Sequence, residues 1–409
     1  MNFVAKLFIV AVVGFACSFL IAGCRKSSVD AVPRISQAKP VFGVADSQDN
    51  QKKSGDINFD FVHPDHFACL SIDVQRIIAR KELKEFPWDS VEVQLADLVG
   101  NANADLNLIE RIWLLLDRES AAAAMEGKTE GFFVTVIQYQ SPLDTGQLAA
   151  AKSNQQKSHL DSPESDTESS ESEDSKKETD EPTEELNPPR WKPIAQAIGE
   201  RRIAIGSKLD VDKLKASQNP AENSELSRLL AQLDFSSDVE GVIATGPVRE
   251  TLKSVFGIAA QFGGKEAKKF AALPDVLEQI EIRFSLEQGD PDLLSVKAMI
   301  DDKRMIDEVV SASQQAIEQS NANTNPNGPA LEAMFGQEFR QSRDDKDSVS
   351  AKIAEEVSRE IKEKNLFSVE GNDDSVSFRL GRPTKISELM RALVEDLKSK
   401  RDPKTEKER

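Results

Sequence analysis

The sequence predicts an α+β chain built as two similar halves, each an antiparallel or mixed sheet with helices packed on one face. Three observations carry this expectation. Short runs rich in Val, Ile, Phe and Trp are bounded by turn residues, apolar stripes at helical spacing lie between them, and the same order of elements recurs in both halves.

The first half, residues 62–217, opens with strand-like Phe67 to Ile72. Asp73 then stands where a helix N-cap is needed, ahead of Val74, Ile77, Ile78 and Leu83, and Pro87 interrupts that helix. A second helix starts at Asp89 and Ser90, carries Val91, Leu95, Leu98 and Val99 on one face and stops at Gly100. Strands follow at Ile109 to Leu116 and Gly131 to Tyr139, then a short helix from about Asp144 to Gln156. Trp191 to Ile198 and Arg201 to Gly206 flank Gly199-Glu200 as a hairpin, and Ser207 to Asp210 opens a helix in the manner of a capping box.

The second half, residues 218–400, repeats this order. Val239 to Thr245 is a strand, and Gly246-Pro247 starts a helix with Leu252, Val255, Phe256 and Ala259 on one face. Ile280 to Leu286 and Leu293 to Ile300 form a strand pair across the turn at Gln288 to Pro291. Helices with Ile306, Val309, Val310 and Ile317, and with Val349, Ile353, Val357 and Ile361, surround an Asn-rich break. Leu366 to Val369 and Ser375 to Leu380 make a hairpin over Gly371 to Asp374, and a helix carrying Ile386, Leu389, Met390, Leu393 and Leu397 precedes the charged tail 401–409.

The N-terminus has a different character. Met1 to Lys6 carries one basic side chain, Leu7 to Leu20 is apolar, and Ile21-Ala22-Gly23-Cys24 follows. This tetrapeptide resembles the lipobox of bacterial lipoproteins. The resemblance covers the first 24 residues and implies cleavage after Gly23, acylation of Cys24, palmitate among its chains, and attachment to membrane lipid. Two or three acyl chains at about 0.8 kcal/mol per buried methylene would hold the protein essentially permanently. The other reading of Leu7 to Gly23 is an uncleaved anchor helix at the lower length limit for spanning a bilayer. Arg25, in place of aspartate after the lipidated cysteine, implies by the same resemblance the outer membrane, periplasmic side, over the inner one. Residues 24–61 are polar and aperiodic and predict a disordered tether of about 35 residues, reaching roughly 30 to 35 Å by random-coil scaling.

Composition narrows the function classes. Of the net charge of −18, Asp161 to Glu185 supplies −10 through twelve acidic residues and two lysines, leaving −8 elsewhere. That balance argues against a nucleic-acid surface. The acidic insert, residues 158–187, has almost nothing apolar to bury and predicts a disordered loop. Of the cysteines left after cleavage, Cys24 is acylated, so Cys69 has no disulfide partner, and its apolar neighbours predict a buried thiol.

Motifs with chemical content are few. His63-Pro-Asp-His66 offers imidazole and carboxylate for a metal, but Pro64 extends the segment and no second ligand group accompanies it, so His63 and His66 stay candidates with no metal assigned. Asn101, Asn103, Asp105 and Asn107 alternate as calcium-loop ligands do, yet Leu106 and Ile112 stand where glycine and a bidentate glutamate are needed. Gly263-Gly264-Lys265 lacks the first glycine and the hydroxyl residue of a phosphate loop. Trp113 lies in an apolar strand and predicts core. No catalytic residue or cofactor is assigned. The sequence therefore predicts a non-catalytic binding or scaffold lipoprotein of the cell envelope with an envelope protein as partner. An enzyme with a site assembled from distant residues and a solute-binding lipoprotein of a transporter are the alternatives.

Overall fold

The computed structural model describes residues 59–119, 134–144, 193–216, 224–262, 268–322 and 349–401, apart from a few isolated positions within them. Among the described residues ten strands form one sheet: β1 His66–Asp73, β2 Ile109–Asp117, β3 Val134–Tyr139, β4 Ile194–Ala197, β5 Arg202–Gly206, β6 Val239–Ala244, β7 Leu277–Phe284, β8 Asp292–Ile300, β9 Phe367–Gly371 and β10 Ser375–Gly381. Their order is β4-β5-β3-β2-β1-β6-β7-β8-β10-β9, with every pair antiparallel. The mixed α+β class is thus as the sequence predicts. Two separate sheets are not: β1 and β6 pair with each other, Leu70 opposite Gly241, and join both sets of strands. Pairing the two inner edges satisfies backbone groups that separate sheets would leave open. Gly241 permits the close approach, since a Cβ there would lie 2.9 Å from both the Cys69 carbonyl oxygen and Leu70 Cδ1.

Read outward from this junction, both sets of five strands have the same order, with the last hairpin reversed at each outer edge. The helices differ between the sets in the face they take. Among the described residues, and apart from the single turn Leu273–Val276, they are α1 Val74–Ile78, α2 Trp88–Val99, α3 Lys208–Ala216, α4 Glu225–Leu230, α5 Arg249–Phe262, α6 Lys303–Ala322, α7 Val349–Glu363 and α8 Ile386–Arg401. Strand alternation gives the sheet two faces. The first is apolar across its width, from Ile203 and Ile137 through Leu114, Leu70 and Ile282 to Val296 and Phe378. On it pack α1 and α2 against Ile137 and Ile203, α5 through Leu252 beside Ile243, α6 against Val376 and Phe378, and α7 and α8 against Leu294 and Leu380.

The second face is apolar only over the first half and β6, where Cys69, Trp113, Val136, Ala204 and Val242 are covered by α3 and α4. From β7 outward it turns polar. Glu281 stands opposite Lys297, and Arg283 opposite Ser295, which faces Arg379. Among the described residues no helix packs there. The expectation of helices on one face therefore fails for the first half, where α3 after β5 crosses to the second face while α8 after β10 stays on the first. Val136 and Ala204 are the reason, because they leave apolar surface on the second face that needs a cover.

Local signals work as read. The Asp73 side chain accepts from the Arg76 N–H and caps α1, and Asp210 N–H donates to Ser207 Oγ at the start of α3. Helix α4 was not expected, although Ser224 as N-cap with Leu226, Leu229 and Leu230 on one face is a sufficient signal. The signal segment, the acidic insert, the Asp144 to Gln156 helix beyond residue 146 and Gly263 to Lys265 lie outside the described residues. No helix among the described residues is long and apolar enough to cross a membrane. The segment read as tether ends earlier than expected: Phe61 and Val62 are buried and Phe59 packs on the first core, so residues 59–61 belong to the folded part.

Candidate functional site

Among the described residues, four places bring chemistry-bearing side chains together. At the start of β1, His66 is 4% exposed and its Nδ1 accepts the His63 N–H at 2.9 Å. Burial pushes its pKa down to about 4, with Asp117 and Asp65 opposing and His63 and Lys213 adding to the depression. Lys213 Nζ lies 3.6 Å from Asp117 and 3.1 Å from Glu119. Burial works against its charge, but those carboxylates hold its pKa above the ordinary lysine value. His63 Nδ1 accepts the Asp65 N–H at 3.2 Å, and the two imidazole rings stand 6.1 Å apart and nearly perpendicular. With both Nδ1 atoms engaged by backbone, the histidines sequence reasoning singled out are brought near each other but not aimed at a common point. Among the described residues no group of three or more ligating side chains could hold a metal. The Asn103 and Asp105 side chains are likewise used locally: Asn103 Nδ2 donates to Val99 O and Asp144 O, and Asp105 Oδ1 accepts from Asn107.

The second place is a charged seam at the junction of the strand sets, which sequence reasoning missed. Asp238, fully buried, accepts from Arg80 Nη2 at 2.7 Å and from the Leu286 N–H. Burial opposes the Arg80 charge, yet these bonds hold its pKa above the ordinary value. Arg111, 8% exposed, donates to Ser71 Oγ at 2.8 Å and lies 3.4 Å from Asp73, while burial lowers its pKa. Glu240, whose pKa burial raises, accepts from the Phe235 and Ser237 N–H groups. Those bonds hold Phe235 at φ 50°, a left-handed conformation that costs about 1 to 2 kcal/mol for a non-glycine residue. The turn fixes how β6 enters the sheet. This is chemistry of attachment, since each of these charges has a partner within the fold.

The third place is an aromatic box on the second face. Trp113 is fully buried between Phe61 at 5.5 Å, Phe59 at 5.7 Å and Phe235 at 5.4 Å. The Arg111 guanidinium lies 4.9 Å from the Phe235 ring and the Arg202 guanidinium 4.9 Å from the Phe61 ring, both within cation–π range. The core placement of Trp113 and the buried thiol of Cys69, pushed well up by desolvation, are as expected.

The fourth is an open acidic cleft of about 250 Å³ where Glu278, Asp301, Asp302, Asp373 and Asp374 gather with Lys303. Asp302 Oδ1 caps α6 through the Arg304 N–H, and Lys303 Nζ bridges to Asp373 at 2.6 Å, so two of the carboxylates have structural work.

No protein-family model matches the chain, and no curated protein matches it. Among solved structures it is similar to several titled as crystal forms of TP0453. Form III superposes with a TM-score of 0.33 at 10% identity, covering 85% of this chain and 100% of the other. Form I superposes with a TM-score of 0.35 at 7% identity, covering 83% and 98%. Scores in this range do not establish a common fold.

Proposed function

We propose that the chain is the precursor of an exported lipoprotein, cut after Gly23, held in a membrane by acyl groups on Cys24, and serving as a non-catalytic binding or scaffold module in the cell envelope. The observation that carries this reading is Ile21-Ala22-Gly23-Cys24 directly after a basic residue and an apolar run. Arg25 favours the outer membrane, facing the periplasm. A broad surface is the binding element that suits the fold, because β7 to β10 present a polar face on which no helix packs among the described residues. A two-lobed receptor with parallel sheets around a cleft does not suit it, since the described strands pair antiparallel in one sheet. The shared strand order of the two sets supports their origin by duplication, with the helices having diverged.

The test is Cys24→Ala in the full precursor, followed by membrane fractionation and intact mass. The expected outcome is loss of the acylated, shortened species. Cys24→Ala protein recovered at the same mass as the wild type, in the same membrane, would reject the reading, and wild type recovered only with the inner membrane would reject the outer-membrane placement.

A further inference from the structure

Residues 59–62 cover the aromatic box without being part of the sheet. Among the described residues their backbone makes the local Val62 N–H to Phe59 O bond and no ladder hydrogen bond to a strand. Side chains hold them: Phe61 against Trp113 and under the Arg202 guanidinium, Phe59 against Trp113 and Phe235, and Asp60 through its ion pair with Arg202. Among the described residues, two polar atoms on this side of the sheet find no hydrogen-bond partner, the indole Nε1–H of Trp113 and Oε1 of Gln138. Both residues are more than nine-tenths buried and belong to neighbouring strands, where Trp113 pairs with Val136 two positions from Gln138. Unpaired buried donors and acceptors are rare in a surface evolved only to be sealed.

We propose that Phe59–Val62 is a displaceable strap over a peptide-binding groove, and that the groove accepts an extended segment of a partner protein with an aromatic-acidic-aromatic pattern like that of Phe59-Asp60-Phe61. The chemistry of recognition is that of the strap itself. One ring enters between Trp113 and the Arg202 guanidinium, the carboxylate pairs with Arg202, and the second ring lies between Trp113 and Phe235. A bound segment differs from the strap in being able to offer hydrogen bonds to Trp113 Nε1 and Gln138 Oε1. The groove is closed whenever the strap is seated, so occupancy by a partner and by the strap exclude each other. This inference does not depend on how the chain is anchored.

The experiment uses full-length protein with Trp88→Phe and Trp191→Phe, leaving Trp113 as the reporter, and a fluorescent peptide of residues 57–64 as probe. Phe59→Ala/Phe61→Ala should raise Trp113 quenching by acrylamide several-fold. It should also bind the probe at least tenfold more tightly than the parent, and the probe should restore protection. A probe with Lys in place of Asp60 should bind at least tenfold more weakly, as should the authentic probe to a variant that also carries Arg202→Ala. Asp60→Asn, which leaves the rings in place, should give a smaller rise in quenching with an unchanged melting temperature. Equal probe affinity for strap variant and parent, or equal affinity for the two probes, would overturn the proposal. So would loss of cooperative folding in both strap variants, because the segment would then be obligatory core.

Discussion

Acidification should destabilise this fold through His66 before it touches the carboxylates. The ring is 4% exposed at the start of β1, its Nδ1 is committed as an acceptor to the His63 N–H, and burial lowers its pKa from 6.5 to about 4. Protonation would put a donor against a donor and a charge in an apolar wall, with Asp117 the nearest compensating group and Lys213 and His63 opposing it. The unfolded chain binds the proton near pH 6.5 and the folded one only near pH 4. The stability contributed by neutral His66 is therefore complete above pH 6.5 and is lost as the pH falls toward 4. A shift of this size corresponds to about 3 kcal/mol in total, of which roughly 2 kcal/mol is lost by pH 5. Urea unfolding followed by circular dichroism at pH 7, 6, 5 and 4.5 measures it. His66→Asn keeps a side-chain acceptor for the His63 N–H and removes the titration, so it should be nearly flat between pH 7 and 5 where the wild type falls. Glu240 and Asp292, with raised pKa values, act in the opposite direction as the pH falls and are common to both proteins. Parallel pH profiles for wild type and His66→Asn would refute the assignment.

Three further outcomes follow from the packing and the composition. Gly241→Ala should cost about 1 to 3 kcal/mol in urea unfolding, because the new Cβ meets the backbone carbonyl of Cys69 at 2.9 Å. Gly289→Ala, with nothing within 4 Å, should cost far less. Asp238→Ala should lose roughly 3 kcal/mol, since it leaves the Leu286 N–H without its acceptor and Arg80 with only the exposed Glu287 at 3.6 Å, and a melting temperature equal to the wild type would show that the seam does not hold the strand sets together. Replacing residues 158–187 by a short Gly-Ser linker should leave the melting temperature nearly unchanged, because loop closure changes by only about 0.6 kcal/mol per doubling of length. A cooperative loss of folding in that variant would mean the acidic segment is structural.

Much of the element order was legible because each element announces itself over a short window. Phe67 to Ile72 and Ile109 to Leu116 are near-continuous apolar runs of the kind that strands covered on both faces show, and both are interior strands. The caps at Asp73 and Ser207 are contacts between residues three apart, within reach of local reasoning. The seam was not legible, because its partners are far apart: Arg80 and Asp238 are separated by 158 residues, and nothing near either names the other. The same holds for the aromatic box, where Phe59 and Phe61 read as the end of a polar tether until Trp113 and Phe235 are placed beneath them. His63 and His66 were legible as a pair, but which atoms the backbone had already engaged was not.

The sequence by itself determined the α+β class, the succession of strands and helices, and an N-terminus with the pattern of a lipid-anchored export signal, because these rest on short-range periodicity and on composition. Only the tertiary structure decided that β1 and β6 would fuse the strand sets into one sheet, that α3 and α4 would cover the second face of the first set while none of the described helices covers β7 to β10 there, and that Phe59 to Val62 would close the aromatic box. Each of those is a choice of partner between segments far apart in the sequence. That choice is made by shape, by the space Gly241 leaves open, and by buried charges that only the folded chain brings into register.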